Sequence, residues 1–293
     1  MKIIIEIGNE IQRQQIENEL KLIPEVCKGM PDPPPICGIW VPEDFDATIN
    51  ELQETDNYRS ERCQIAVAKN VYVGDETALV FSKELFTDLH DNHTRAQIIL
   101  HEFSHTINRQ IFPKLLKESP SNHEYAKNIY ILFDEYWANR KSFEITDKIY
   151  PKTSERYQNL VRSSVEGFLG DILNADEEYL KIKKEIRSFR VHGDVIHFMY
   201  SIAEYYDTIA KAVTYFFSYI HHFTHYSHLV GNLPAKPFAT ESALDLGEFF
   251  KAKYENNDTA LFDGLKYMEK FMCQFGLHFK DVNGDAYCTV LDI

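Results

Sequence analysis

His101-Glu102-Phe103-Ser104-His105 decides how this chain is read, because His-Glu-x-x-His on a helix sets two imidazoles one turn apart on one face with a carboxylate beside them. That is the geometry of a two-point zinc clamp with a built-in general base. Working outward, the stretch from Thr94 to Asn108 contains no Gly or Pro, and Asp91, Asn92 and Thr94 are N-cap candidates, so a helix is predicted there. At about 100° per residue, Ala96, Ile99, Leu100, Phe103 and Ile107 form one apolar face. His101 and His105 fall together opposite that face, and Glu102 lies to one side. Such a helix buries one stripe in a core and presents both imidazoles to a cleft. The competing reading is a surface helix whose polar residues are merely solvated.

Two histidines do not hold a zinc, so a third protein ligand is expected further along. A metzincin would continue with Gly at 108 and His at 111, but the chain has Asn108 and Ile111, which excludes that class. A Glu on a later helix is the other solution, and Phe133-Asp134-Glu135-Tyr136-Trp137-Ala138-Asn139-Arg140 supplies one. The segment from about Asn122 to Ile149 lacks Gly and Pro, and Ile129, Leu132, Phe133, Tyr136, Trp137 and Phe143 surround Glu135 with apolar neighbours. A carboxylate in such surroundings is costly unless it meets a cation. Zinc would be that cation, although an ion pair with a basic residue such as Arg140 would also serve. Asp134 is an alternative ligand or a supporting residue. Asn139, one turn beyond Glu135, is placed to accept the free ring N–H of a metal-bound histidine.

His101-Glu102-x-x-His105 followed by Glu135-x-x-Ala138-Asn139 resembles the gluzincin metallopeptidases, especially the small minimal gluzincins of the ImmA/IrrE type. The resemblance covers residues 60 to 145, a minority of the chain. It implies His101, His105 and Glu135 as ligands of one Zn2+ per chain, Glu102 as general base, and Asn139 as the residue supporting a ligand. Peptide hydrolysis by metal-activated water follows from it, with a peptide or protein as substrate. The alternative is a catalytically inactive zincin-like protein acting as a protein-binding or regulatory module. Glu102 between the two histidines favours the enzyme, since a purely structural zinc site needs neither an open position nor a base. A deformylase is a weaker reading, because no upstream Cys ligand motif is evident.

Thirty-one Lys and Arg against 45 Asp and Glu leave a formal charge of −14 in 293 residues, with no basic stripe to neutralise phosphates. No nucleic-acid partner is expected, and no membrane partner, since the longest strongly apolar run, Val213 to Ile220, is far short of the about 20 residues a span requires. The start, Met-Lys-Ile-Ile-Ile-Glu, is broken by Glu6 and reads as a strand rather than a signal peptide. Cys27, Cys37, Cys63, Cys273 and Cys288 are odd in number and scattered, which predicts reduced thiols and a cytoplasmic location.

The fold class expected is α+β: a zincin-like core over residues 1–150, with a small mixed sheet leading into the His-Glu-x-x-His helix, then a mainly helical region over 151–293 that completes or covers the cleft and ends in a β-hairpin. Strands are predicted at Lys2 to Ile7, Gly38 to Val41, Gln64 to Ala68 and Ala78 to Phe81, and helices at Asn9 to Leu22 and Phe45 to Glu54. By zincin analogy an edge strand binds extended substrate, and Thr77 to Ser82 is assigned that place. Beyond Pro151, helices are predicted over Ser154 to Leu173, Glu177 to Phe189, Asp194 to Phe217, Ser242 to Tyr254 and near Leu261 to Phe275, with a hairpin turning at Asn283-Gly284. On a continuing helix His221, His225 and His228 would share a face. No carboxylate or Cys accompanies them at ligand spacing, so they read as structural rather than as a second metal site. His93 reads as a helix-start residue with no catalytic role.

Overall fold

The computed structural model describes residues 1–56, 58, 67–111, 120–151, 154–233 and 240–291, and has mixed α+β architecture with a small mixed sheet and a C-terminal antiparallel hairpin. The chain divides into two units, one of Met1–Ile111 with Ala138–Asn159, the other of Phe112–Trp137 with Leu160–Ile293.

The first unit is built on four strands, β1 (Lys2–Ile5), β2 (Ile36–Val41), β3 (Ala68–Val73) and β4 (Glu76–Phe81), ordered β1-β2-β4-β3. The first three in that order run parallel, and β3 closes the edge antiparallel to β4, with Ala68 opposite Phe81 and Val73 opposite Glu76. Beside β1, Gly38 meets the Trp40 ring so closely that an added Cβ would lie 2.6 Å from it, which reserves the position for glycine. Helices α1 (Glu10–Leu20) and α2 (Leu22–Lys28) connect β1 to β2; α1 is the helix expected over Asn9 to Leu22, and α2 is a further helix beyond it. Pro24 sits in the first turn of α2, where a missing N–H costs nothing. Helix α3 (Phe45–Gln53), capped by Asp44, covers Val71, Ala78 and Val80 with Ile49. Leu79 and Phe81 alternate to the other side of β4 and are fully buried.

Helix α4 (Asn92–Ile111) carries the motif and packs against β3 and β4. Its predicted stripe is the buried one: Ala96, Ile99, Leu100, Phe103 and Ile107 are all 6% exposed or less. Asp91 is the N-cap, its Oδ1 accepting the Thr94 backbone N–H at 2.8 Å and its Oδ2 accepting the Ser154 hydroxyl. Burial pushes the Asp91 carboxyl up, but the Ser154 and Thr94 hydrogen bonds outweigh it and hold it below the usual carboxylate range. Asp91→Ala is therefore expected to cost about 1–2 kcal/mol at neutral pH. Because the folded-state pKa is depressed, that contribution is present above the unfolded value near about 3.9 and is lost as pH falls through the folded value. Urea melts of both forms at neutral pH and at about pH 3 would show the gap narrowing in acid, and an undiminished gap would contradict the assignment. His93, 4% exposed, stacks on Tyr157 with ring centroids 3.7 Å apart.

Helix α5 spans Pro120–Ile149. In the second unit follow α6 (Glu155–Leu173, whose first residues belong to the first unit), α7 (Ala175–His192), α8 (Val195–His222), α9 (Thr240–Glu255) and α10 (Leu265–Gln274). The long apolar α8 is the hub: α7 and α9 both pack on it, and Gly247 of α9 lies against the Phe217 ring where a Cβ would stand at 2.5 Å. The hairpin β5 (Leu277–Val282) and β6 (Asp285–Val290) turns at Asn283 and Gly284, both with positive φ as a two-residue type I′ turn requires. Tyr125 of α5 ties the hairpin down, its hydroxyl accepting the Phe279 N–H at 2.9 Å. No helix among the described residues is long and apolar enough to cross a membrane.

Candidate metal centre

The spacing of His101 and His105 on α4 brings their Nε2 atoms to 3.1 Å, with the rings at right angles. Two imidazole nitrogens so close can share one hydrogen bond or one cation. Two nitrogens on a tetrahedral zinc at about 2.0–2.1 Å stand about 3.3 Å apart, close to the separation seen. His105 is buried and His101 half-buried, as expected for the polar face of a helix whose other face is core.

Glu135 lies on α5 one turn ahead of Ala138 and Asn139, so the unbroken helix sets its position beside them. His101, His105 and Glu135 are a group that could hold a metal ion, and two imidazoles with one carboxylate are a donor set a catalytic zinc takes. Asp134, the alternative ligand, is not part of this group. The Glu135 Oε2 accepts a hydrogen bond from the Tyr215 hydroxyl of α8 at 2.9 Å. Asn139 is 5% exposed, and its Nδ2 has no hydrogen-bond partner among the described residues.

Glu102 stands outside the group of three. Its Oε2 accepts the backbone N–H of Asn70 at 3.0 Å, which pins the carboxylate against strand β3. This contact also gives the orientation of β3. Ser82 donates to the Val67 carbonyl, so the odd-numbered residues turn their polar groups toward β4 while Ala68, Asn70 and Tyr72 turn theirs outward. The strand beside the motif helix is thus β3, whereas Thr77 to Ser82, assigned the edge from sequence, covers most of β4, which is enclosed by β2 and β3. Arg109 reinforces the arrangement, stacking on Tyr72 at 4.2 Å and donating to the carbonyls of Gly74 and Glu76 at the β3–β4 turn. The expected strand over Gln64 to Ala68 falls mostly outside the described residues; β3 begins at its last member. A readable signal for β3 was present in Gly74-Asp75 between two β-prone runs, a two-residue hairpin loop.

The histidine run does not form one helical face. Helix α8 stops at His222 and a 3-10 segment, Thr224–Asn232, follows. His221 bonds the buried Tyr136 hydroxyl through Nδ1 at 2.8 Å and faces Glu248 at 3.6 Å, while His228 Nδ1 bonds the His225 carbonyl at 2.8 Å. No protein-family model, curated protein or solved structure matches this chain.

Proposed function

We propose that the chain is a zinc-dependent peptidase of gluzincin type, in which His101, His105 and Glu135 hold one zinc and Glu102 is the general base. The convergence of those three donor groups beside a base that is not itself a ligand carries the reading. When bound, the zinc would bring the pKa of a coordinated water toward about 7 and polarise the scissile carbonyl. Glu102 takes the proton of the attacking water and returns it to the leaving amine. With Oε2 committed to the Asn70 amide, Oε1 is the oxygen that carries it. Asn139 is assigned to steady the ring N–H of one histidine, and Tyr215 to orient the Glu135 carboxylate. The outward groups of Ala68 and the outward carbonyl of Asn70, whose N–H is held by Glu102, suit an extended peptide adding along β3. Free thiols at Cys27, Cys37, Cys273 and Cys288 suit a cytoplasmic location, while Cys63 lies outside the described residues.

Elemental analysis of the purified protein, combined with hydrolysis of an unbiased peptide library, tests this. The expected result is about one zinc per chain and cleavage that disappears on chelation and returns with Zn2+. Failure to bind zinc after reconstitution would overturn the peptidase reading and move the weight to a protein-binding role for the same scaffold.

A further inference from the structure

We propose that the tip of the α7–α8 helical hairpin docks on an anionic phospholipid surface. Five large apolar side chains crowd this tip and stay exposed among the described residues: Val191 is 76% exposed, Ile196 72% and Tyr200 76%, with Val195 and Met199 beside them. Every residue from Arg190 to His197 is exposed, although the tip is firmly built. Gly193 closes it in the left-handed region with its N–H on the Phe189 carbonyl at 2.7 Å, Asp194 caps α8 through the His197 N–H, and Phe189 stacks on Phe198 at 4.6 Å just behind. An ordered apolar wedge open to water costs solvation that a partner would recover.

Charge names the partner. From Lys181 to Tyr200 there are five Lys or Arg against Glu185 and Asp194, a net +3, so the other residues of this −14 chain sum to −17. Lys184, Arg187 and Arg190 are exposed and stand within about 10 Å of the wedge along α7, about one Debye length. The molecule as a whole is repelled by an anionic surface, and this tip is a stretch through which it can approach one. A bilayer deforms around an apolar wedge and meets the cations behind it with its headgroups. Tyr200 matches the aromatic preference of that interface. The sequence expectation of no membrane partner rested on the lack of a spanning segment, which surface docking does not need.

Flotation of the full chain with phosphatidylcholine vesicles, with or without about 30% phosphatidylserine, tests the proposal. Wild type should float with the phosphatidylserine vesicles at about 0.15 M salt and much less at about 0.5 M. The R187E/R190E pair should weaken binding by at least about 25-fold, about fivefold for each cation removed, and Ile196→Ser should weaken it in both salts. Arg187 and Ile196 are exposed, whereas Arg190 also donates to the Val290 carbonyl at 3.3 Å, so a thermal melt of each variant separates loss of docking from loss of fold. Wild type that stays unbound at every composition, or that binds phosphatidylcholine equally, would overturn the proposal. Self-association abolished by Ile196→Ser without vesicle binding would overturn it too, assigning the wedge to a second copy of the chain.

Discussion

Glu102→Gln is expected to lower peptide hydrolysis by about 10²–10⁴-fold while leaving the zinc content at the wild-type level. The size follows from the general base: a carboxamide has nearly the same shape but cannot take the proton of the attacking water. The fold should tolerate the change, because Glu102 is half-buried on the polar side of α4, and the Gln carbonyl can still accept the Asn70 N–H that now meets Oε2 at 3.0 Å. The metal should stay, because the donor group consists of His101, His105 and Glu135 without Glu102. Steady-state kinetics on a cleaved peptide, run beside elemental analysis and a thermal melt, separate these effects. Hydrolysis at the wild-type rate by the Gln form would remove Glu102 from the reaction. Lost zinc would mean that Glu102 belongs among the ligands.

What the sequence made legible is what short-range periodicity encodes. The stripe Ala96, Ile99, Leu100, Phe103, Ile107 lies within sixteen residues of its Asp91 cap, and both are where that spacing places them. Pro151 marks the end of α5, and Asn283-Gly284 marks a hairpin, because each residue type acts on its own backbone. Features that depend on distant partners were not legible. Tyr215 meets Glu135 across 80 positions, and nothing in the Tyr-rich α8 distinguishes it from its neighbours. Gly74-Asp75 marks the turn after β3, but the strand's place at the sheet edge depends on pairing with β4 rather than on its own composition. The end of α8 was hidden for a different reason. Residues 223–230 contain no Gly or Pro, so the change to a 3-10 path at Phe223 has no local breaker to announce it.

The second large effect is expected at Glu135, read as zinc affinity rather than as activity. Removing one of three protein ligands should weaken binding by more than about 100-fold, so Glu135→Ala should lose its metal to a mild chelator that wild type resists. Asp134→Ala, which touches the neighbouring carboxylate but not the donor group, should retain it. Tyr215→Phe should fall between, with affinity down about 10–100-fold, because the phenol holds one Glu135 oxygen and so aims the other. Deleting that hydroxyl leaves the half-buried carboxylate short of one donor, at a stability cost of about 1–1.5 kcal/mol, small enough for a folded protein to be assayed. Competition with a chromophoric chelator ranks all four forms on one scale. The order wild type with Asp134→Ala, then Tyr215→Phe, then Glu135→Ala is the signature of a carboxylate ligand steadied by a phenol. Equal affinity in Tyr215→Phe and wild type would leave the hydroxyl a packing contact, and equal affinity in Glu135→Ala and wild type would remove the third ligand, and with it the reason to expect an open, catalytic zinc.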